Sequence, residues 1–139
     1  HFAGSHAFLD LFSGSGIMGI TAFSEGFSPV HFFESHPRIR QHLQDQLAQL
    51  AIDAKVGVHC EDVRSCAIQP PWLAYVDPPF RDCSAYEKAF SALRTLPGHA
   101  ENAILTESEI ELPKQVAGFE CVDVRRAGRI FLSIFRPLT

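Results

Sequence analysis

Residues 7–20 read AFLDLFSGSGIMGI, and this stretch decides the fold. A short apolar run with one acid, Ala7 to Phe12, stops at Ser13-Gly14-Ser15-Gly16. A helical pattern follows from about Ile17 to Glu25 and is closed by Gly26. Strand, glycine turn and helix are thus written in order. Working outward, the unit recurs. Val30 to Phe33 is a second apolar strand ending at Glu34, and Pro37 suits the first turn of a helix, where a missing N–H costs nothing. In that helix Ile39, Leu43, Leu47 and Leu50 recur at helical spacing and predict one buried face. Lys55 to His59 alternates as a third strand, and Asp62 opens a short helix or loop that Pro70-Pro71 stops. Trp72 to Val76 is a fourth strand, and Ser84 to Leu96 a helix with Ala85, Ala89, Ala92, Leu93 and Leu96 on its apolar side. Ala103 to Thr106 is a fifth strand; Phe119 to Val124 and Ile130 to Phe135 read as an antiparallel pair turned near Ala127-Gly128. Strands alternating with helices predict an α/β fold, with a mostly parallel sheet covered on both faces and finished by a hairpin.

The composition agrees. With 139 residues, 46% hydrophobic and 20% charged, the chain suits a single domain over 1–139. No apolar run approaches the roughly eighteen residues of a membrane span, so a soluble, cytoplasmic protein without membrane contact is expected. Cys60, Cys66, Cys83 and Cys121 lie far apart without a C-x-x-C pair and read as reduced thiols. None of the seven histidines has a partner His or carboxylate at ligand spacing inside a clear helix, so no metal is expected. The net charge of −4 runs against tight phosphate binding. Arg125, Arg126 and Arg129 do cluster, with Arg136 beyond them, and Arg38 and Arg40 form a second group; composition alone reads both groups as solvated surface.

Three constellations carry chemistry. The first is G-x-G-x-x-G from Gly14 to Gly19, directly after a strand and opening a helix, where glycines admit a nucleotide-like ligand to the backbone. That pattern alone also describes a dinucleotide site or a plain tight turn. Asp10 shifts the balance, because its carboxylate suits the α-amino group of a methionine moiety and repels a pyrophosphate. The second is Glu34, ending the next strand where Rossmann-like sites keep an acid for ribose hydroxyls. Asp62 suits an adenine amino group, or equally a helix cap. The third and sharpest is Asp77-Pro78-Pro79-Phe80, after the apolar run LAYV. Two prolines remove two N–H donors, so a carboxylate and a carbonyl there grip both hydrogens of an amino group, while Phe80 offers a ring for a base. Held this way, an exocyclic amine presents its lone pair to a sulfonium methyl group, and catalysis is orientation plus electrostatics.

The series LDLFSGSGIMGI (Leu9 to Ile20), FFESHPRIRQHL (Phe32 to Leu43), EDV (Glu61 to Val63), VDPPFR (Val76 to Arg81) and ESEIELP (Glu107 to Pro113) resembles the RsmD-type 16S ribosomal RNA guanine-N2 methyltransferases. The resemblance runs from about residue 8 to residue 136. It implies a Rossmann-like class I methyltransferase fold, with a seven-stranded sheet whose last strand is antiparallel. It further implies S-adenosyl-L-methionine as donor and 16S rRNA, or the assembling small ribosomal subunit, as partner of a monomer. By position it places Asp10, Phe12, Gly14, Ser15, Gly16, Glu34, Ser35, Asp62 and Val63 on the cofactor, and Asp77, Pro78, Pro79 and Phe80 on the target guanine. The family's basic N-terminal extension is expected to be missing, since the glycine motif begins almost at the first residue. Three other readings compete: methylation of adenine N6 or cytosine N4 in DNA, a non-catalytic cofactor-binding module in RNA processing, and an NAD-binding oxidoreductase. The longer resemblance speaks against the first, the intact Asp77 and Phe80 against the second, and Asp10 against the third.

Overall fold

A computed structural model describes residues 6–79 and 82–138. The first apolar runs become strands β1 (Ala7–Asp10), β2 (Val30–Phe33), β3 (Val56–His59), β4 (Trp72–Val76) and β5 (Ala103–Ser108). Helices α1 (Ile17–Ser24), α2 (Pro37–Gln49) and α3 (Cys83–Arg94) lie between them in the chain. Strands β6 (Gln115–Val116), β7 (Phe119–Ala127) and β8 (Ile130–Pro137) close it. One sheet results, in the order β3-β2-β1-β4-β5-β8-β7-β6. The first five strands are parallel, and β8 enters antiparallel beside β5. Among the described residues the sheet has eight strands where seven are expected, because Gln115-Val116 pairs with Glu120 and Phe119 as a two-residue edge strand, too short to leave a periodic signal. Among the described residues no helix is long and apolar enough to cross a membrane.

Each face of the sheet has its own core. On the α1–α2 side Phe8, Phe32, Leu43, Leu47 and Leu73 pack together. On the α3 side Phe90 stands edge-on to both Phe119 and Phe135, with centroids at 5.8 and 4.9 Å. Edge-to-face pairs of this kind add attraction beyond the area they bury. The predicted apolar face of α2 is narrower than its spacing suggests. Leu43 and Leu47 are buried, whereas Ile39 and Leu50 are 40% and 50% exposed. Thirteen residues end before Leu50, which becomes the C-cap, and Ile39 faces a cleft instead of the core. In α3 the alanine stripe is buried as expected except Ala85, half-buried at the same cleft, and the larger Tyr86 and Phe90 fill the layer beneath.

The glycines of the first turn divide their work. A Cβ on Gly19 would stand 2.2 Å from the ring of the fully buried Phe32, and one on Gly16 2.3 Å from Leu43. Close approach of α1 to the sheet therefore depends on both. Gly19→Ala is expected to destabilise the fold by about 1–3 kcal/mol, the usual cost of overpacking, despite alanine's better helix propensity. Thermal denaturation of the variant tests this; an unchanged midpoint would mean that Phe32 has room to move.

Candidate active site

The parallel order reverses between β1 and β4, and ligands of open α/β sheets sit beyond the carboxyl ends of the strands at such a point. A cleft of about 1410 Å³ opens there. Its floor begins with the glycine turn, held by a chain of short bonds. The Ser13 hydroxyl donates to the Asp10 carbonyl at 2.8 Å and accepts from the Phe33 amide at 3.0 Å. The Gly16 amide donates to the Ser13 carbonyl at 2.7 Å, so the turn is tied to both β1 and β2. Gly14, at φ +53°, has open space on its Cβ side and lines the cleft. Ser13 was not among the expected site residues; its signal was only its place as the residue between strand and first glycine.

Glu34 ties the glycine turn to the start of α2. One carboxylate oxygen accepts from the Gly14 amide at 2.9 Å and the other from the His36 amide at 3.0 Å. Each oxygen keeps a further lone pair, and the group lies half-buried on the cleft wall. Asp10 lies deeper, 1% exposed, and accepts from the Gly19 amide at 3.1 Å. Burial pushes its carboxyl up to about 7; the Gly19 N–H opposes the rise, and the charges of Glu34 and Asp77 add to it. Three acids of three strands thus sense one another across the end of the sheet.

Of the residues expected on the cofactor, Phe12, Gly14, Glu34, Ser35, Asp62 and Val63 line this cleft. Asp10 lies beneath it, Gly16 is buried in the turn with its Cβ side against Leu43, and Ser15 is exposed outside the lining. Asp62 caps the short 3-10 turn Val63–Ser65 through the Arg64 amide at 2.9 Å and grips the Arg64 guanidinium with both oxygens. That pairing holds its carboxyl below the usual range and leaves both oxygens engaged by Arg64. The buried Val63 and the half-exposed Ile39 supply apolar wall on either side.

On the opposite side stand Asp77, Pro78 and Pro79, directly after β4. Asp77 is half-buried, Pro78 buried and Pro79 exposed. Phe80, expected to carry the base, lies outside the described residues. Behind the loop Asp82 caps α3 by accepting from the Ala85 amide at 3.0 Å, and it shares the cleft with Ser84 and Lys88. Neither α3 residue was expected from sequence, although helix starts after sheet strands are where such clefts gather their polar groups. Glu107, for which the sequence offered no role, is placed by two tyrosines. The Tyr86 hydroxyl donates to its carbonyl, and the Tyr75 hydroxyl bonds to its side chain, with Tyr75 held far above the usual phenol range mainly by burial.

A family model described as conserved hypothetical protein 95 matches residues 1–136 of the chain. No curated protein matches it. Among solved structures, yhhF from Escherichia coli, whose name proposes a methyltransferase, superposes with a TM-score of 0.80 at 27% identity, over 96% of this chain and 77% of its own. HI0767 from Haemophilus influenzae, whose name proposes a methylase, gives 0.80 at 23% identity, over 99% and 90%. SMU.1697c from Streptococcus mutans, whose name proposes a methyltransferase and which was solved in complex with SAH, gives 0.70 at 14% identity, over 99% and 91%. The last two are likenesses of fold.

Proposed function

Because the chain belongs to the conserved hypothetical protein 95 family, the RsmD family, we propose that it methylates the exocyclic N2 amino group of a guanine in small-subunit ribosomal RNA, with S-adenosyl-L-methionine as donor. Its sheet order and antiparallel closing strands are those of class I methyltransferases. The observation that carries the reading is one cleft lined both by Glu34 and Gly14 and by Asp77-Pro78-Pro79. We read the chain as one catalytic domain working in the cytoplasm as a monomer.

The donor set fits the cofactor. Glu34, Glu61, Asp62, Asp77, Asp82 and Glu87 line the cleft against Arg64 and Lys88, with Asp10 beneath, an environment that favours a cation and repels a pyrophosphate. Glu34 would hold the ribose hydroxyls with its remaining lone pairs, while Ile39 and Val63 flank the adenine. Gly14, open on its Cβ side, lets the methionine end approach the backbone. When bound, S-adenosyl-L-methionine supplies an electrophilic methyl group on a positive sulfur.

The chain's own part is positional. The Asp77 carboxylate accepts one hydrogen of the target amine and the Pro78 carbonyl the other, which turns the nitrogen lone pair toward the methyl group. Neither proline has an N–H, so no donor of that dipeptide competes for the amine. On accepting the methyl group the nitrogen would become positive; Asp77 would stabilise that charge in a half-buried setting where the interaction is stronger than in water, and would take up the proton the amine then loses. Phe80, by residue type, supplies the ring on which the base stacks.

Glu34→Ala is expected to weaken S-adenosylhomocysteine binding by about 1–2 kcal/mol, or roughly 5–30-fold, from the loss of hydrogen bonds to a charged group. Calorimetric titration measures it, and an unaltered dissociation constant removes Glu34 from the site. The reading as a whole is tested by transfer of a radiolabelled methyl group to unmethylated small-subunit rRNA particles with nucleoside analysis. Label in N2-methylguanosine supports it. Label in DNA adenine or cytosine, or cofactor binding without transfer to any nucleic acid, overturns it.

A further inference from the structure

The arginine cluster left aside by the active site sits at a telling place. Strand β5 runs parallel to β4 with Val76 opposite Thr106, so Ser108 lies level with residue 78, two positions further on. Ser108 pairs with Phe131, and Phe131 with Arg126. By register, then, Arg126 stands level with Pro78, three strand spacings away, which at about 4.8 Å each is roughly 14 Å. The tip of the β7–β8 hairpin therefore projects from the same end of the sheet as the Asp77-Pro78-Pro79 loop.

That tip is the most basic segment of the chain. Arg125, Arg126 and Arg129 are three of its twelve Lys and Arg residues within five positions, in a molecule of net charge −4. All three are exposed. The support beneath them is stiff. Gly128, at φ +61°, is first of the two residues that join Ala127 to Ile130, the arrangement of a type II′ turn. Arg126 Nε donates to the Gly128 carbonyl at 3.1 Å, and its guanidinium lies 5.1 Å above the Phe131 ring. A guanidinium tethered by Nε and stacked on a ring loses little freedom on meeting an anion and presents its Nη edge. Arg125 leans on Asp123 at 3.5 Å on the other side of the strand, with its side chain 82% exposed.

We infer that the β7–β8 hairpin tip, through Arg125, Arg126 and Arg129, is the docking surface for the phosphodiester backbone of the nucleic acid whose base enters the cleft. The gap of roughly 14 Å is several times the axial rise of about 3.4 Å per nucleotide, so the phosphates held are those flanking the target, not its own. Contacts of this kind position the strand and carry no base information. The inference rests on the nucleic-acid reading above and adds to it the surface that sets register.

The test is a salt series of fluorescence-anisotropy titrations with a labelled mixed-sequence oligoribonucleotide, on the parent chain, R125Q/R126Q/R129Q, and Arg94→Gln at the opposite end of the sheet. Calorimetry with S-adenosylhomocysteine accompanies each. The triple variant is expected to bind RNA at least tenfold more weakly at low salt. Its plot of log affinity against log salt should be shallower by about 2, three phosphates at about 0.7 each for a single strand. Arg94→Gln should match the parent in RNA binding, and both variants should match it in cofactor affinity. A triple variant with the parent's affinity and slope overturns the docking surface while leaving the methyltransferase reading intact. A parent that binds cofactor but no RNA overturns the substrate reading and the docking surface together.

Discussion

Replacing Asp77 with alanine is expected to lower methyl transfer by about three orders of magnitude, the upper end of what a single preorganised polar group contributes. The dissociation constant for S-adenosylhomocysteine should stay within about twofold of the parent's. The division follows from position. Asp77 is half-buried just after β4, two strands from the Glu34 and Gly14 pair that we propose faces the cofactor. On the proposed reading its removal takes away the acceptor that orients the amine and the charge that steadies the developing cation, and leaves Glu34 untouched. Asp77→Asn keeps one acceptor oxygen but adds an N–H₂ group that opposes the amine, so it should fall between. Single-turnover transfer and calorimetry on the same preparations separate the outcomes, with a melting curve to verify folding. Loss of cofactor binding in step with activity would move Asp77 to the cofactor side; retained activity would remove it from the chemistry.

The residues that made the fold legible were those whose surroundings are local. Ala7 to Gly19 announces strand, turn and helix because apolar runs and glycines act within a few positions of themselves, and Val30–Phe33 and Trp72–Val76 have the bounds their patterns give. What escaped depends on partners far away in the chain. Ile39 continues a helical apolar stripe yet faces the cleft, since which part of a stripe is covered depends on the neighbours of α2. Asp62 offered two roles at once, and only the position of Arg64 shows that its carboxylate is already held. The place of the Arg125 to Arg129 tip at the same end of the sheet as the cleft follows from the order β5-β8-β7, and no local pattern encodes strand order.

Asp10 is the strongest case of a residue whose type was readable and whose state was not. As an acid on β1 it was expected to serve a cationic ligand. The fold adds almost complete burial and two nearby carboxylates, which together push it up to about 7. A carboxyl raised in this way favours its protonated form in the folded state. The stability it allows is fully present below the ordinary value of 3.8 and is lost as pH rises from about 4 through about 7. Above that window the ionised group costs folding of the order of 4 kcal/mol at most, at about 1.4 kcal/mol for each tenfold change in proton affinity.

Asp10→Asn should therefore stabilise the free protein at pH 8, by as much as about 4 kcal/mol. The amide oxygen still accepts from the Gly19 N–H, while the buried charge is gone. The advantage should shrink as pH falls from 7 toward 5, because the parent's carboxyl is then already protonated; urea unfolding of both proteins at pH 5, 6, 7 and 8 measures it. The same substitution should weaken cofactor binding and flatten its pH dependence. In the parent, a cationic ligand draws Asp10 toward its ionised form, so affinity should rise between pH 5 and 8 by up to tenfold per pH unit below 7. An acid that destabilises the empty fold and strengthens the loaded one explains why a carboxyl occupies so buried a position. If the two proteins unfold in parallel across the pH series and bind S-adenosylmethionine alike, Asp10 is only a brace for the Gly19 amide, and the charge argument for the cofactor rests on Glu34 and the other carboxylates lining the cleft.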